Sequence, residues 1–377
     1  MLEVLYIMEF KRFGDIVSIK KGKKIEQVEK ENNTIRYIQI DDLRNDNNLK
    51  YCNKDDSYIT VNEKDIVIAW DGANAGTVGY GLNGAIGSTL AKLEINDTEF
   101  NTIYCALFLR SKFYYLREKC TGATIPHLSR SSLEDLKLPK LNIDTQNKIV
   151  EILDKSQELI DKRKEQMELL EELIQSRFLE MFGNPVTNPK GWEVEKINTI
   201  APIEQYKGEI NDGKVWLLNL DMVESNSGRI INYNYVDKEE VGNSTCTFST
   251  DNVLYSKLRP YLNKVAIPDR EGYATSEMIP LKPNREILNR EYFAYSLRSK
   301  AFVDYISEKV SGAKMPRVVM SDFKNFKLPI PPLELQEEFA DFVEKVNDIK
   351  IVLNKSLEQL NNNFDSLISR AFKGELF

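Results

Sequence analysis

The stretch Thr121-Gly122-Ala123-Thr124-Ile125-Pro126-His127-Leu128 returns later in the chain as Ser311-Gly312-Ala313-Lys314-Met315-Pro316-Arg317-Val318. Working outward, Leu138-Pro139 returns as Leu328-Pro329, and Leu109-Arg110-Ser111-Lys112 returns as Leu297-Arg298-Ser299-Lys300. Gln146 and Gln336 each open a long charged stretch, and these close on Ser176-Arg177-Phe178 and Ser369-Arg370-Ala371-Phe372. The offset is roughly 190 residues, far too long a period for a solenoid. The chain is therefore read as a globular unit, a helix, a second globular unit and a second helix. The boundaries fall at 1–142, 143–184, 185–331 and 332–377. A chain that builds one unit twice has pseudo-twofold symmetry and suits a two-part target.

A length of 377 residues fits two domains plus connecting elements. Apolar residues make up 42%, ample for two cores, and 29% charged residues point to a soluble protein. No apolar run is long enough to span a bilayer. Met1 to Phe10 is apolar but lacks a basic start and a small-residue cleavage site, so no signal peptide is read. Cys52, Cys105, Cys120 and Cys246 show no paired spacing, and His127 is the single histidine. That excludes the familiar zinc frameworks and argues for free thiols in a reducing cytoplasm.

The net charge of -7 looks wrong for a nucleic-acid binder until it is located. From Gln146 to Phe182 six basic residues face nine acidic ones, and from Pro332 to Phe377 five face nine. The helices carry the whole imbalance and the globular units sum to zero. Charge permits nucleic-acid binding here without demonstrating it.

In the first helical stretch Leu153, Ile160, Met167, Ile174 and Met181 recur every seven residues. Ile149, Ile152, Leu159, Leu170, Leu173 and Phe178 widen the stripe, Asp144 is the expected N-cap, and Gly183 followed by Pro185 closes it. In the second, Phe339, Val346, Leu353, Leu360 and Leu367 step by sevens, with Val343, Leu357, Phe364 and Ala371 as the alternate seam. This is a coiled-coil pattern, and each helix would be roughly 55 Å long. Two surface helices, each on its own domain, is one reading. An antiparallel pair joining two copies of one unit is favoured, with apolar surface left for a further partner.

The expected fold class is α+β, two pseudo-twofold-related mixed units separated by two long helices in an antiparallel coiled coil. Strand-like runs are Ile35–Ile40, Asp65–Trp70 and Thr89–Ile95, then Val215–Leu220, Asn252–Leu258 and Glu277–Leu281. Thr102–Leu116 reads as an amphipathic helix with Ile103, Leu107 and Phe108 inward, and Glu291–Ser307 as its counterpart.

The copies diverge in their loops. Trp70 to Gly79 is small and Gly-rich, with Trp70, Asn74 and Thr77 as candidate contacts. The matching Lys257 to Lys264 is basic with an aromatic interleaved, offering Lys257, Arg259, Tyr261 and Lys264. Amides and guanidiniums read base edges and lysines meet phosphates, though both loops are equally readable as solvated turns. Thr124, His127, Lys314 and Arg317 lie on the repeated loop, which is either aimed at a shared ligand or a turn fixing each unit to its helix. Lys21, Lys23, Lys24 and Lys207 complete the candidate DNA contacts.

No catalytic or metal constellation is legible. A Walker A sequence is absent, and Gly72, Gly76 and Gly79 lack the spacing of a dinucleotide fingerprint. Asn184-Pro185 lacks the rest of an amino-methyltransferase motif, and His127 has no cysteine or serine motif beside it. The chain reads as non-catalytic.

Taken together, Thr121 to Leu128 with Leu138-Pro139 and Gln146, and Ser311 to Pro316 with Leu328-Pro329-Ile330-Pro331-Pro332-Leu333 and Gln336, resemble one family. It is the specificity subunit of type I restriction-modification systems, and the terminal Ser369-Arg370-Ala371-Phe372-Lys373-Gly374-Glu375-Leu376 matches it too. The copies depart where Asn142-Ile143 replaces the Pro331-Pro332 pair, and where Phe182-Gly183 replaces Lys373-Gly374. The resemblance implies two target-recognition domains, each binding one half of a bipartite asymmetric double-stranded DNA site, with the helix pair setting the spacer. It implies two modification subunits docked on the helices, bringing S-adenosylmethionine to methylate adenine. A restriction subunit would add ATP- and Mg-dependent translocation and cleavage, and this chain would bind no cofactor itself. A specificity chain of a related type II system with bipartite sites and a coiled-coil scaffold for proteins remain as alternatives.

Overall fold

Ile66-Val67-Ile68-Ala69 is apolar at every position because both faces of the strand are covered. A computed structural model describes residues 8–122, 124–210 and 213–376, so most of the apolar stretch Met1 to Phe10, residues 1–7, lies outside the described residues. The strand Ile66–Ala69 lies between Leu90–Ile95 and Val78–Tyr80, with Val17–Lys21 beyond Leu90–Ile95, all antiparallel. A second sheet runs Tyr51–Asn53, Thr34–Ile38, Gly84–Ile86, Thr60–Val61. Its central pair is parallel, Tyr37 opposite Ala85 and Ile38 opposite Ile86.

The second copy repeats this topology. Tyr235–Asp237, Lys214–Leu218, Gly272–Thr275 and Thr245–Phe248 form one sheet, again with a parallel central pair. Val265–Ala266, Val253–Ser256 and Met278–Leu281 form the other, and its fourth strand is reduced to a bridge between Ile203 and Leu281. A two-stranded ribbon completes each copy, Phe10–Arg12 with Lys137–Pro139 and Glu193–Lys196 with Lys327–Ile330. The architecture is α+β, with mixed sheets in both copies. The two-residue strands Thr60–Val61 and Val265–Ala266 are too short to show a period and lie outside the strand-like runs of the sequence.

Each expected side helix is in fact two. In the first copy α1 (Thr102–Ser111) turns at Lys112 into α2 (Phe113–Glu118), and the long helix α3 (Ile143–Phe182) follows. In the second, α4 (Arg290–Arg298) and α5 (Lys300–Ser307) are parted at Ser299, before α6 (Leu333–Lys373). Ser299 has an extended ψ of 139° and its hydroxyl accepts from Phe302 N–H at 3.3 Å, which starts a new N-terminus. Nor is α1 amphipathic: Tyr104 through Leu109 are all buried, and Phe372 of α6 packs its ring on those of Tyr104 and Phe108.

The chain divides into two compact units, Met1–Lys162 with Ser356–Phe377, and Arg163–Lys355, so each long helix is shared between them. In the first unit Ile149, Val150 and Leu153 share a core with Ala371 and Phe372. In the second, Ile174, Phe178 and Met181 share one with Phe339, Val343 and Val346. There Glu171 pairs with Lys350 at 2.7 Å and Arg177 with Glu338 at 2.9 Å. Partner numbers fall as those of α3 rise, so the helices are antiparallel there, and in the first unit the start of α3 shares its core with the end of α6.

Of the heptad positions, Leu153, Ile160, Ile174 and Val346 are buried, while Met167, Leu353, Leu360 and Leu367 are half-buried. Leu159 and Leu173 do not join the seam; both face solvent. The N-cap of α3 is Asn142 rather than Asp144, because the Asn142 side chain accepts from Thr145 N–H at 2.8 Å. Asn142 thus stands opposite Pro332, and Leu141 opposite Pro331: Gln146 and Gln336 donate their side-chain amides to Leu141 and Pro331 carbonyls at 2.8 and 2.7 Å.

The repeated motifs have packing reasons. Tyr104 and Tyr292 donate their hydroxyls to Pro139 and Pro329 carbonyls at 3.0 and 2.8 Å, which fixes the Leu-Pro strands. Arg110 and Arg298 of the Leu-Arg-Ser-Lys motif donate to Val78 and Ser227 carbonyls at 3.2 and 2.8 Å.

Candidate nucleic-acid interface

The loop after strand Ile66–Ala69 and the loop Thr121–Leu128 are far apart in sequence but zipped together in space. Gly72 N–H donates to Pro126 O at 2.9 Å, and Leu128 N–H to Trp70 O at 2.8 Å. Thr121 and His127 exchange both backbone bonds, at 2.9 and 2.7 Å, which closes the second loop; Ala123 within it lies outside the described residues. Gly72 takes φ +96°, open to glycine without strain. Between the loops sits Asp71, whose carboxylate accepts from His127 Nδ1 at 2.7 Å and from Lys21 Nζ at 2.7 Å. Burial opposes charge on Asp71, but the hydrogen bonds from His127 and Lys21 outweigh it and hold the carboxyl below its ordinary value. Asn74 accepts from Arg44 Nη2 at 2.8 Å.

The second unit makes the same two backbone bonds at equivalent places. Arg259 N–H donates to Pro316 O at 2.7 Å, and Val318 N–H to Lys257 O at 2.9 Å. Arg259 stands where Gly72 does and keeps a left-handed backbone, φ +50°, which costs a side-chain-bearing residue about 1–2 kcal/mol. Arg317 closes the hairpin of Val310–Ser311 with Arg317–Val318 and donates Nε and Nη2 to Glu277 at 3.0 and 2.7 Å. Glu277 comes from the turn between Gly272–Thr275 and Met278–Leu281. The bond from Arg317 outweighs burial and holds the Glu277 carboxyl below its ordinary value.

Each unit therefore gathers its two candidate loops into one rim. In the first, Trp70, Asn74 and Thr77 are half-buried, while Thr124 and His127 are exposed. In the second, Lys257 is half-buried, and Arg259, Tyr261 and Lys314 are exposed. Lys264 is turned to a structural task, its ammonium donating to Leu220 O at 2.6 Å. Lys23, paired through its backbone with Gly87, and the exposed Lys24 and Lys207 take no part in the bonds that join the loops. Sequence reasoning passed over Asp71, Arg44 and Glu277. Asp71 carried a signal in its place directly after Trp70, but Glu277 had none, being brought to Arg317 only by the sheet.

Among the described residues no group of three or more His, Cys, Asp or Glu is placed to hold a metal ion. The four cysteines are free, and burial pushes the thiols of Cys105 and Cys246 up to about 12 and about 11. Among the described residues no helix is long and apolar enough to cross a membrane.

The family model described as type I restriction modification DNA specificity domain matches residues 7–172 and again 189–362, once for each copy. The chain is 24% identical to the type I restriction enzyme MjaVIII specificity subunit of Methanocaldococcus jannaschii, over 98% of this chain and 92% of that one. It is also 24% identical to the EcoDI specificity subunit of Escherichia coli, over 71% and 68% of the two chains. Two solved structures share the fold. The S subunit of a type I restriction-modification system from M. genitalium superposes with TM-score 0.54 at 16% identity, over 98% of each chain. A chain from a structural study of complex assembly and conformational transition of the type I R-M system superposes with TM-score 0.59 at 15% identity, over 100% of each. The chain belongs to the type I restriction modification DNA specificity family. Its role is that of the DNA sequence-specificity subunit of such a system.

Proposed function

We propose that each copy reads one half of a bipartite, asymmetric double-stranded DNA site, through recognition domains at 1–142 and 185–331. The helical regions 143–184 and 332–377 set the unspecified spacer and dock two modification subunits. Catalysis lies with those partners: the modification subunits bring S-adenosylmethionine and methylate adenine, and restriction subunits supply ATP- and Mg-dependent translocation and cleavage. The complex works in the cytoplasm.

One observation carries this reading. The rims share their backbone bonds, Gly72 to Pro126 and Arg259 to Pro316, yet present different side chains. A scaffold kept twice with altered contact chemistry is what two readers of two different half sites require. Solvent-facing Leu169, Leu173, Ile349 and Val352 on the long helices supply apolar surface for the docked subunits.

Gel shifts with the full chain, with and without its modification subunit, test the proposal together with a map of methylated adenines in cells carrying or lacking the chain. Methylation confined to one two-part motif that vanishes with the chain is expected. Methylation that persists unchanged without it contradicts the proposal.

A further inference from the structure

Arg317 and His127 occupy the same place in the two copies. Each ends the repeated loop, and the residue after each is bonded to the facing loop, Val318 to Lys257 and Leu128 to Trp70. Each also lies against a carboxylate, but the two acids come from unrelated places. Asp71 precedes Gly72 in the facing loop, whereas Glu277 comes from a turn between two strands. An acid has thus been set beside this one residue twice.

A phosphate contact gains nothing from such a neighbour, which cancels the cation's charge and repels the backbone. A base reader does gain, because the carboxylate fixes the plane of the guanidinium and the direction of its remaining donors. Arg317 has five N–H groups. Glu277 takes Nε–H and one on Nη2, at 3.0 and 2.7 Å. The remaining ones, on Nη1 and Nη2, bond to no described residue, and the side chain is 42% exposed. Those two nitrogens form the end-on fork that matches guanine O6 and N7 in the major groove.

We propose that Arg317 reads a guanine in the half site of the second unit and that Glu277 is its positioning residue; this rests on the DNA-reading function proposed above. Adenine places a donor where guanine has O6, so the fork loses a bond and rejects it. His127, with Nδ1–H held by Asp71, has only Nε2 to offer outward and cannot form the two-bond pair. The half sites therefore differ at this contact.

The test is selection from a fully randomised duplex pool by the full chain assembled with its modification subunit, read by sequencing. Wild type is expected to enrich a two-part motif with guanine at one position of one part. Arg317→Gln moves that position alone towards adenine, which a carboxamide matches, with guanine preference falling on the order of ten- to a hundredfold. Glu277→Gln lowers guanine preference at the same position while leaving its neighbours unchanged, and Glu277→Asp restores part of it. The other half of the motif stays enriched throughout and reports that the chain is folded. Arg317→Gln that changes nothing, or weakens its whole half evenly, overturns the proposal and leaves DNA reading intact. A wild-type chain that enriches no motif removes the DNA-reading function itself.

Discussion

The side-chain oxygen of Gln146 accepts the backbone N–H of Asn101 at 2.8 Å, tying the first turn of α3 to the N-cap of α1. The Asn101 side chain in turn accepts from Ile103 and Tyr104 N–H, at 2.8 and 3.1 Å. Gln336 and Asn289 reproduce the arrangement in the second unit, again at 2.8 Å. Both glutamines are fully buried, and each amide also donates to two carbonyls, Glu99 and Leu141 or Ile287 and Pro331. The repeated glutamine is a lock between a recognition unit and its helix.

Gln146→Ala takes the glutamine partner from one part-buried N–H and two part-buried carbonyls, which should cost about 2–3 kcal/mol. Hydrogen exchange should show lost protection in the first unit alone, and Gln336→Ala the same in the second alone. Protection unchanged by either substitution would remove the lock from the account.

The Glu277 carboxyl is depressed in the fold, so its contribution to stability is complete above the ordinary glutamate value of about 4.3 and disappears as pH falls through the lowered one. Glu277→Gln should therefore lower the second unit's stability at neutral pH and flatten its acid limb, because the variant has no carboxylate contribution left to lose. Acid unfolding profiles of wild type and variant check this; equal steepness below about pH 4.3 contradicts it.

Leu169 and Leu173 face solvent on α3. Replacing both with Asp should leave stability within about 0.5 kcal/mol per site, as for other surface changes. Co-purification with the modification subunit should nevertheless be lost, if this face receives it. Undiminished assembly would move the docking surface elsewhere.

Under the proposal that the paired helices set the spacer, one heptad inserted in each preserves the seam and adds roughly 10 Å. That is about three base pairs, so the complex should prefer sites with a spacer about three base pairs longer and both halves unchanged. A heptad in only one helix should mismatch the pair and cost assembly. Continued preference for the original spacer contradicts the helix pair as the ruler.

Much of the fold was legible because its signals are periodic or repeated. The heptads placed α3 and α6, and Gly183 with φ +78° ends the first of them as its sequence position implied. Leu159 and Leu173 fell outside the seam because a wide stripe on one helix faces more directions than a single partner can cover. The break at Ser299 was hidden, since a serine inside an apolar pattern reads as easily as a helix residue as a cap. At the rims, loop composition pointed to Arg317 and His127, but their carboxylates were invisible. Glu277 lies 40 residues from Arg317, and only strand pairing brings the two together.

The central claim is that each rim reads its own half of one site. The most direct measurement compares motif enrichment by three forms of the full chain with its modification subunit: wild type, Lys257→Glu with Arg259→Glu, and Asn74→Ala with Thr77→Ala. Each variant pair should erase one half of the motif, a different half for each, while the other half remains enriched as in wild type. Loss of both halves together from either pair, or of neither from both, would contradict independent reading by the two rims.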